Sequence, residues 1–353
     1  MSKLTPQPTP IAPEAKQAPM MPALDPITRL PILILFPHSR CNCRCLMCDI
    51  WRATTRDELN ASDVARWLKG WQTLGVQKIV LSGGEALLHS HVWALCEHLR
   101  QAGMGITLLS TGLLLKKHAA DVAHYCDEVV VSLDGPRDIH TQIRNVPHAY
   151  ERLAEGVQAV KQAGPQVQIS ARCTVQHSNF RYLCDTVAAA HEIGLDRISF
   201  LAADVSSDAF NRPEGWDETR ASEVALQPED LLALKDELTR LAETCADDFA
   251  SGYIAESREK LQRRLLQYYS ALNGIGDFYP NQCNAPWVSS VIEADGTVRP
   301  CFFQPALGNI HQAESLEAIL NSEQAILWRR GLDPQRNDIC RKCVCTLALR
   351  EPV

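Results

Sequence analysis

What this chain lacks narrows its class before any motif is read. No apolar run approaches the roughly 18 residues that a membrane helix needs; the run Pro31 to Pro37 is strand length. The first residues hold no apolar core of the kind that marks a secretory signal, so a soluble, cytoplasmic protein is expected. A large positive charge is missing too: the net charge is −7, which argues against nucleic acid as the main partner. Fourteen cysteines would mean disulfides in a small secreted chain, but in 353 residues without a signal they read as reduced thiols. Hydrophobic and charged contents of 46% and 22% are ordinary for a globular protein.

Residues 1–28 carry seven of the twenty prolines and little apolar periodicity. They read as a disordered leader, too short for a separate peptide-binding domain. From Leu30 the pattern alternates strand and helix. Strands are expected at Ile32–Phe36, Lys78–Ser82, Ile106–Leu109, Glu128–Leu133, Val167–Val175 and Arg197–Leu201. A helix is expected over Ser62–Leu74, with Val64, Leu68, Trp71 and Leu74 on one face and Gly75 ending it. Six βα units in a row imply a parallel sheet with right-handed crossovers, curled into a barrel or left open. Residues 205–275 are charged and less regular, and are expected to cap the barrel mouth. The basic run from Arg258 to Tyr269 reads as a solvated helix face, not an RNA contact.

The chemistry concentrates in Pro37–Trp51, where Cys41, Cys43, Cys45 and Cys48 fall within eight residues. Thiolates are soft ligands that suit zinc and iron–sulfur clusters. Structural zinc sites usually come as two pairs of ligands, whereas only Cys45 and Cys48 make a C-x-x-C pair here. Cys41, Cys45 and Cys48 spell C-x3-C-x2-C, three ligands for a four-iron cluster with one iron left open. Cys43 is the surplus thiol.

This motif, C-x3-C-x-Met-C followed by Asp49-Ile50-Trp51, resembles that of the radical S-adenosylmethionine (AdoMet) enzymes. The resemblance implies an α/β fold, a partial (β/α)6 barrel resembling a TIM barrel. It also implies a [4Fe–4S] cluster whose open iron is chelated by AdoMet, and reductive cleavage of AdoMet to a 5′-deoxyadenosyl radical that takes hydrogen from a substrate. In such barrels ligands meet the carboxyl ends of the strands. There Gly83-Gly84-Glu85 resembles the family's Gly-Gly-Glu, with Glu85 accepting from the AdoMet ammonium group, although Ala86 stands where proline is usual. Ser132-Leu133-Asp134-Gly135 resembles a second family motif facing the AdoMet ribose and carboxylate, and Arg144 follows at a familiar distance. Ser110 and Arg172 complete the expected AdoMet contacts, Arg172 as a partner for a carboxylate. His89 and His91 read as packing or surface groups rather than metal ligands, and Cys96, Cys126, Cys173, Cys184 and Cys245 as core filling.

A second cysteine set is built on a hairpin around Asp295-Gly296, which brings the flanking Cys283 and Cys301 together; Cys340, Cys343 and Cys345 close the set. C-x12-G-x4-C followed by C-x2-C resembles the auxiliary module of the SPASM and twitch subgroups. It implies one auxiliary [4Fe–4S] cluster on Cys283, Cys301, Cys340 and Cys343, with structural zinc as the alternative. Cys345 would be spare, a thiol able to return a hydrogen atom. The expected division is residues 29–204 as the radical core, 205–275 as the connecting cap and 276–353 as the auxiliary domain. The expected enzyme is of oxidoreductase type and oxidises or epimerises a small-molecule substrate at an unactivated C–H bond. Its electron donor would be a flavodoxin or ferredoxin, with no nucleic acid and no membrane as partner. A maturase of a ribosomally made peptide is the second reading, and a non-catalytic iron–sulfur or zinc protein the third.

Overall fold

The computed structural model describes residues 25–350. Six strands run parallel in sequence order: β1 (Ile32–Leu35), β2 (Lys78–Leu81), β3 (Gly105–Ser110), β4 (Glu128–Ser132), β5 (Gln168–Val175) and β6 (Arg197–Ala202). Between them lie α1 (Ala61–Thr73), α2 (Val92–Gln101), α3 (Ala119–Tyr125), α4 (Arg137–Arg144), α5 (Ala149–Ala163) and α6 (Leu183–Ile193). The strands show alternating or near-continuous burial because helices cover one face and the barrel interior the other. α1 illustrates the local logic. Asn60 caps it by accepting from the Ser62 N–H at 2.9 Å, Val64 and Trp71 turn inward, and Gly75 leaves the helix at φ +70°.

The sheet does not end at β1. β7 (Ser289–Ile292) pairs in parallel with β1, Leu33 opposite Ser290 and Leu35 opposite Ile292. β8 (Thr297–Arg299) and β9 (Gly308–Asn309) then add antiparallel ribs, giving the order β6-β5-β4-β3-β2-β1-β7-β8-β9. β7 is buried along its whole length, and Ser290 turns its hydroxyl to the Arg299 carbonyl at 2.8 Å. The expected leader lies mostly outside the described residues. Its last part is docked: Ile27 is buried, its N–H donates to Asn321 Oδ1 at 2.7 Å, and Asp25 pairs with the buried Arg329 at 2.6 Å.

The 205–275 stretch does two things. Its first loop lies against the cysteine loop, while the helix Leu231–Thr244 packs on α6, where buried Glu237 accepts from the Leu183 and Cys184 N–H groups at the helix start. The basic run contains a π turn, Gln262–Gln267, and then buries Tyr268 and Tyr269. Their hydroxyls donate to the Ala203 and Val175 carbonyls, at 3.3 and 2.6 Å, and so brace the ends of β6 and β5. Among the described residues no helix is long and apolar enough to cross a membrane.

Candidate active site

The loop after β1 carries the first cysteine set into the barrel mouth. Two backbone bonds hold it to the end of α4: Arg44 N–H to the Arg144 carbonyl and Leu46 N–H to the Ile143 carbonyl, both 3.1 Å. A second strap comes from the loop after β6. Buried Arg212 donates to the Met47 carbonyl at 2.8 Å and pairs with Asp204 at 3.2 Å, while Asn211 donates to the Asp49 carbonyl and Trp216 to the Asp49 carboxylate at 2.6 Å. The guanidinium of Arg212 lies 3.8 Å from the Trp216 ring centroid.

Glycine is required where β2 delivers its loop. A Cβ on Gly84 would lie 2.1 Å from the Arg40 carbonyl, and Gly83 sits at φ +98° with its own Cβ position 2.9 Å from Phe36. Side chains at either position would push the cysteine loop away. Beside them Glu85 is fully buried, and burial raises its pKa against the pull of its donors. Its carboxylate accepts from Thr111 N–H (2.8 Å), Thr111 Oγ1 (2.6 Å), Ser110 Oγ (3.1 Å) and Leu87 N–H (3.1 Å). The Glu85 carboxylate thereby ties the ends of β2 and β3 together.

Asp134 is likewise buried. It pairs with Arg144 Nη2 at 2.6 Å and accepts from Thr174 N–H at 2.9 Å, and burial raises its pKa in spite of the arginine. Burial works against the charge of Arg144, but Asp134 and the nearby thiolates more than offset it and raise its pKa. Arg144 Nη1 also donates to Cys45 Sγ at 3.4 Å. The Cys45 thiol is brought down to about 7 by a hydrogen bond with Cys43 and by Arg144, whereas burial pushes Cys48 up to about 12. Cys43 itself is buried, and its hydrogen bonds to Cys41 and Cys45 push its thiol up.

A cavity of about 230 Å³ opens at these strand ends. Cys41, Cys45 and Cys48 line it, and of the expected AdoMet contacts Gly83, Gly84, Ser110, Ser132, Arg144 and Arg172 do so too. Glu85 and Asp134 stand behind its wall. Met47, Thr174, Phe210, Arg212 and Val344 line it as well, and sequence reasoning did not reach them. The only signal for Phe210 and Arg212 was a cation between aromatic residues in an irregular loop. A second cavity, about 390 Å³, lies on the β7 side and shares Ile50, Gly83, Gly84, Phe210 and Arg212 with the first.

In the second cysteine set, Cys283 and Cys340 act electrostatically on Cys301, Cys283 acts on Cys340, and Cys301 and Cys283 act on Cys343. Burial raises Cys301 to about 12 and Cys340 to about 11. Gln304 Nε2 donates to Cys340 Sγ at 3.3 Å, and Asn281 donates to the Cys340 carbonyl at 2.8 Å, fixing the C-terminal strip to the irregular segment that leads into β7. Cys345 is exposed and outside the cavity, although its neighbour Val344 lines it. His89 is buried with both ring nitrogens used, one on the Leu59 carbonyl and one on His91 N–H, which agrees with a packing role. Cys96, Cys126, Cys173, Cys184 and Cys245 are buried in the core. Among the described residues no three His, Cys, Asp or Glu side chains close on a point that could hold a single metal ion; a four-iron cluster asks for wider spacing, one thiolate per iron. The donor chemistry fits such a group: three thiols face one cavity beside a glycine cradle that a Cβ would fill, and Cys301, Cys340 and Cys343 each feel the charge of Cys283 in the C-terminal strip.

A parallel barrel that gathers three thiols and two glycines at one mouth, with a second thiol set on its added edge, defines an iron–sulfur enzyme scaffold. The radical SAM superfamily model matches residues 35–178, and the SPASM iron-sulfur cluster-binding domain model matches residues 283–344. The chain belongs to the radical SAM superfamily, in its SPASM/twitch subgroup, and so has a [4Fe–4S] cluster that binds AdoMet and auxiliary iron–sulfur ligation in its C-terminal domain. An AdoMet-dependent heme synthase of Methanosarcina barkeri is 24% identical over 88% of this chain and 87% of that protein. A pre-heme d1 synthase of Dinoroseobacter shibae is 28% identical over 55% of this chain, which spans about half (48%) of that relative's length. Among solved structures, Streptococcus suis SuiB bound to S-adenosylmethionine superposes with a TM-score of 0.61 at 16% identity, over 90% of this chain and 72% of that one. The anSMEcpe enzyme with bound AdoMet gives 0.62 at 19% identity, over 83% and 82%. These likenesses show the partial barrel with its added C-terminal module.

Proposed function

We propose that the protein abstracts a hydrogen atom from a small-molecule substrate in an oxidation or related rearrangement, with residues 29–204 as the radical core and 276–353 as the auxiliary domain. Bound at Cys41, Cys45 and Cys48, the cluster and AdoMet supply a 5′-deoxyadenosyl radical. The chain's own residues do the rest. The Ser82–Gly84 backbone and Ser110 present polar groups to AdoMet, while Arg144 and the exposed Arg172 supply cations for a carboxylate. Phe210 and Arg212 close the wall against water, which would otherwise quench selectivity by admitting competing reactions. Val344, between two cysteines of the second set, lines the same thiol-lined cavity, so an auxiliary cluster on Cys283, Cys301, Cys340 and Cys343 would stand beside the AdoMet site and could take up the electron left on a substrate held next to it.

The observation that carries the small-molecule reading is the heme synthase likeness, which runs through most of both chains, barrel and C-terminal module together. A peptide substrate is the second reading, supported by SuiB bound to its precursor peptide, which shares the fold. The test is anaerobic reconstitution, reduction with dithionite and assay for 5′-deoxyadenosine. Formation of 5′-deoxyadenosine that disappears in Cys45→Ala supports the reading; none from a fully iron-loaded protein defeats it.

A further inference from the structure

The larger cavity has a chemistry of its own. It lies between the end of β1, the Gly83–Gly84 backbone, the loop after β6 and the β7–β8 turn. Its apolar wall is three edge-on rings: Phe302 stands 5.1 Å from Phe36 and 5.0 Å from Phe210, centroid to centroid. Its polar wall is lopsided. Of the charged residues on it, Arg299 is matched by Glu293 and Arg212 by Asp204, and Asp295 caps its own turn by accepting from Thr297 N–H at 2.9 Å. Asp57 and Asp208 have no ion pair among the described residues, leaving an uncompensated negative charge at a cavity floored by aromatic rings. An independent pointer is His38, also on the wall: it is 1% exposed, and its Nε2 makes no hydrogen bond although Glu58 stands 3.4 Å away. Because its Nδ1 accepts from Arg40 N–H at 2.8 Å, Nε2 carries the hydrogen and is a buried donor facing the cavity wall without a hydrogen-bonded acceptor, and burial keeps the ring neutral.

We propose that this cavity is the substrate pocket and that its ligand is a primary ammonium carried on an apolar body, the ammonium directed to Asp57 and Asp208 and the body against Phe36, Phe210 and Phe302. Carboxylates attract an ammonium and repel a carboxylate, and phenyl faces favour a cation and an apolar chain alike. The shared wall of Gly83, Gly84 and Phe210 places such a ligand next to the thiol-lined cavity. Only that last placement rests on the radical reading; the choice of ligand does not.

The test uses the reconstituted holoenzyme and three probes of one size: 2-phenylethylammonium, 2-phenylethanol and phenylacetate, titrated calorimetrically with AdoMet present. The ammonium should bind at least about tenfold more tightly than the other two, the expected scale for a charge-assisted hydrogen bond. Asp57→Asn with Asp208→Asn should remove that preference, with the folded state checked by circular dichroism. An acetyl-lysine-amide probe distinguishes the source: binding as tight as 2-phenylethylammonium points to a peptide side chain, weaker binding to a small amine. Equal affinity for the three probes on the unaltered protein, or a preference that survives the double variant, overturns the proposal. The 5′-deoxyadenosine assay without any probe reports separately on the radical reading, so the two can fail apart.

Discussion

Arg144 stands 99 residues from Cys45 in sequence, yet its Nη1 lies 3.4 Å from the Cys45 sulfur while Nη2 holds Asp134 at 2.6 Å. One buried guanidinium thereby joins α4, the end of β4 and the cysteine loop.

Removing one partner of that pair leaves the other charge stranded in the core. Asp134→Ala should lower stability by about 3–5 kcal/mol, the usual cost of breaking a buried ion pair. Urea unfolding of the cluster-free protein measures it. A loss under 1 kcal/mol would mean that Arg144 finds another partner or water, and that the pair does not organise the mouth.

Gly84→Ala forces a methyl carbon to within 2.1 Å of the Arg40 carbonyl, and the obstacle is backbone, which cannot rotate away. Overpacking of this kind costs about 1–3 kcal/mol. Since the relief must come from the cysteine loop, the variant should also bind less iron at its first site. Full iron content and unchanged AdoMet affinity in Gly84→Ala would refute the close approach.

His140 is wholly buried, accepts from Asp134 N–H at 3.2 Å, and is held down to about 3 by burial. Its folded pKa lies below its unfolded value of about 6.5, so the unfolded chain takes up a proton that the folded chain refuses. Its contribution is therefore complete above about pH 6.5 and falls as the pH drops towards 3, by about 1.4 kcal/mol per pH unit. In urea midpoints from pH 7 to pH 5, His140→Leu should show a flatter acid limb than the parent. Parallel limbs would rule out this histidine as the source.

Iron counting separates the two cysteine sets. About eight irons per chain should fall to about four in Cys41→Ala and, by a different loss, to about four in Cys340→Ala, if each set holds a four-iron cluster. Only the second variant should keep cleaving AdoMet. Zinc in place of iron in the second set would give about four irons in the parent and no change on replacing Cys340.

Much of this was readable in one dimension, and the reasons are physical. The six strands announce themselves because β-branched and apolar runs alternate with helical periodicity, and Cys41, Cys45 and Cys48 stand out because ligands of one metal group must crowd a short loop. Gly83 and Gly84 follow from the need for backbone approach. What escaped was set by tertiary contact: no local pattern tells that Ser110 and Thr111 donate to the Glu85 carboxylate, and Phe210 and Arg212 come from a loop with no periodicity at all. The pairing of β7 with β1 was hidden for the same reason, since 253 residues lie between Leu35 and Ser289 and no local pattern spans such a gap.

That pairing governs when the barrel can be completed. Until Ser289–Ile292 has left the ribosome, the outer amides and carbonyls of Ile32–Leu35 have no neighbour on that side. The nascent protein must carry a sticky apolar ribbon, directly joined to its cysteine loop, until the residues of β7 emerge. A chain cut before Ser289 would keep that edge bare beside its cysteine loop, and such truncations should be found in aggregates rather than as idle half-enzymes.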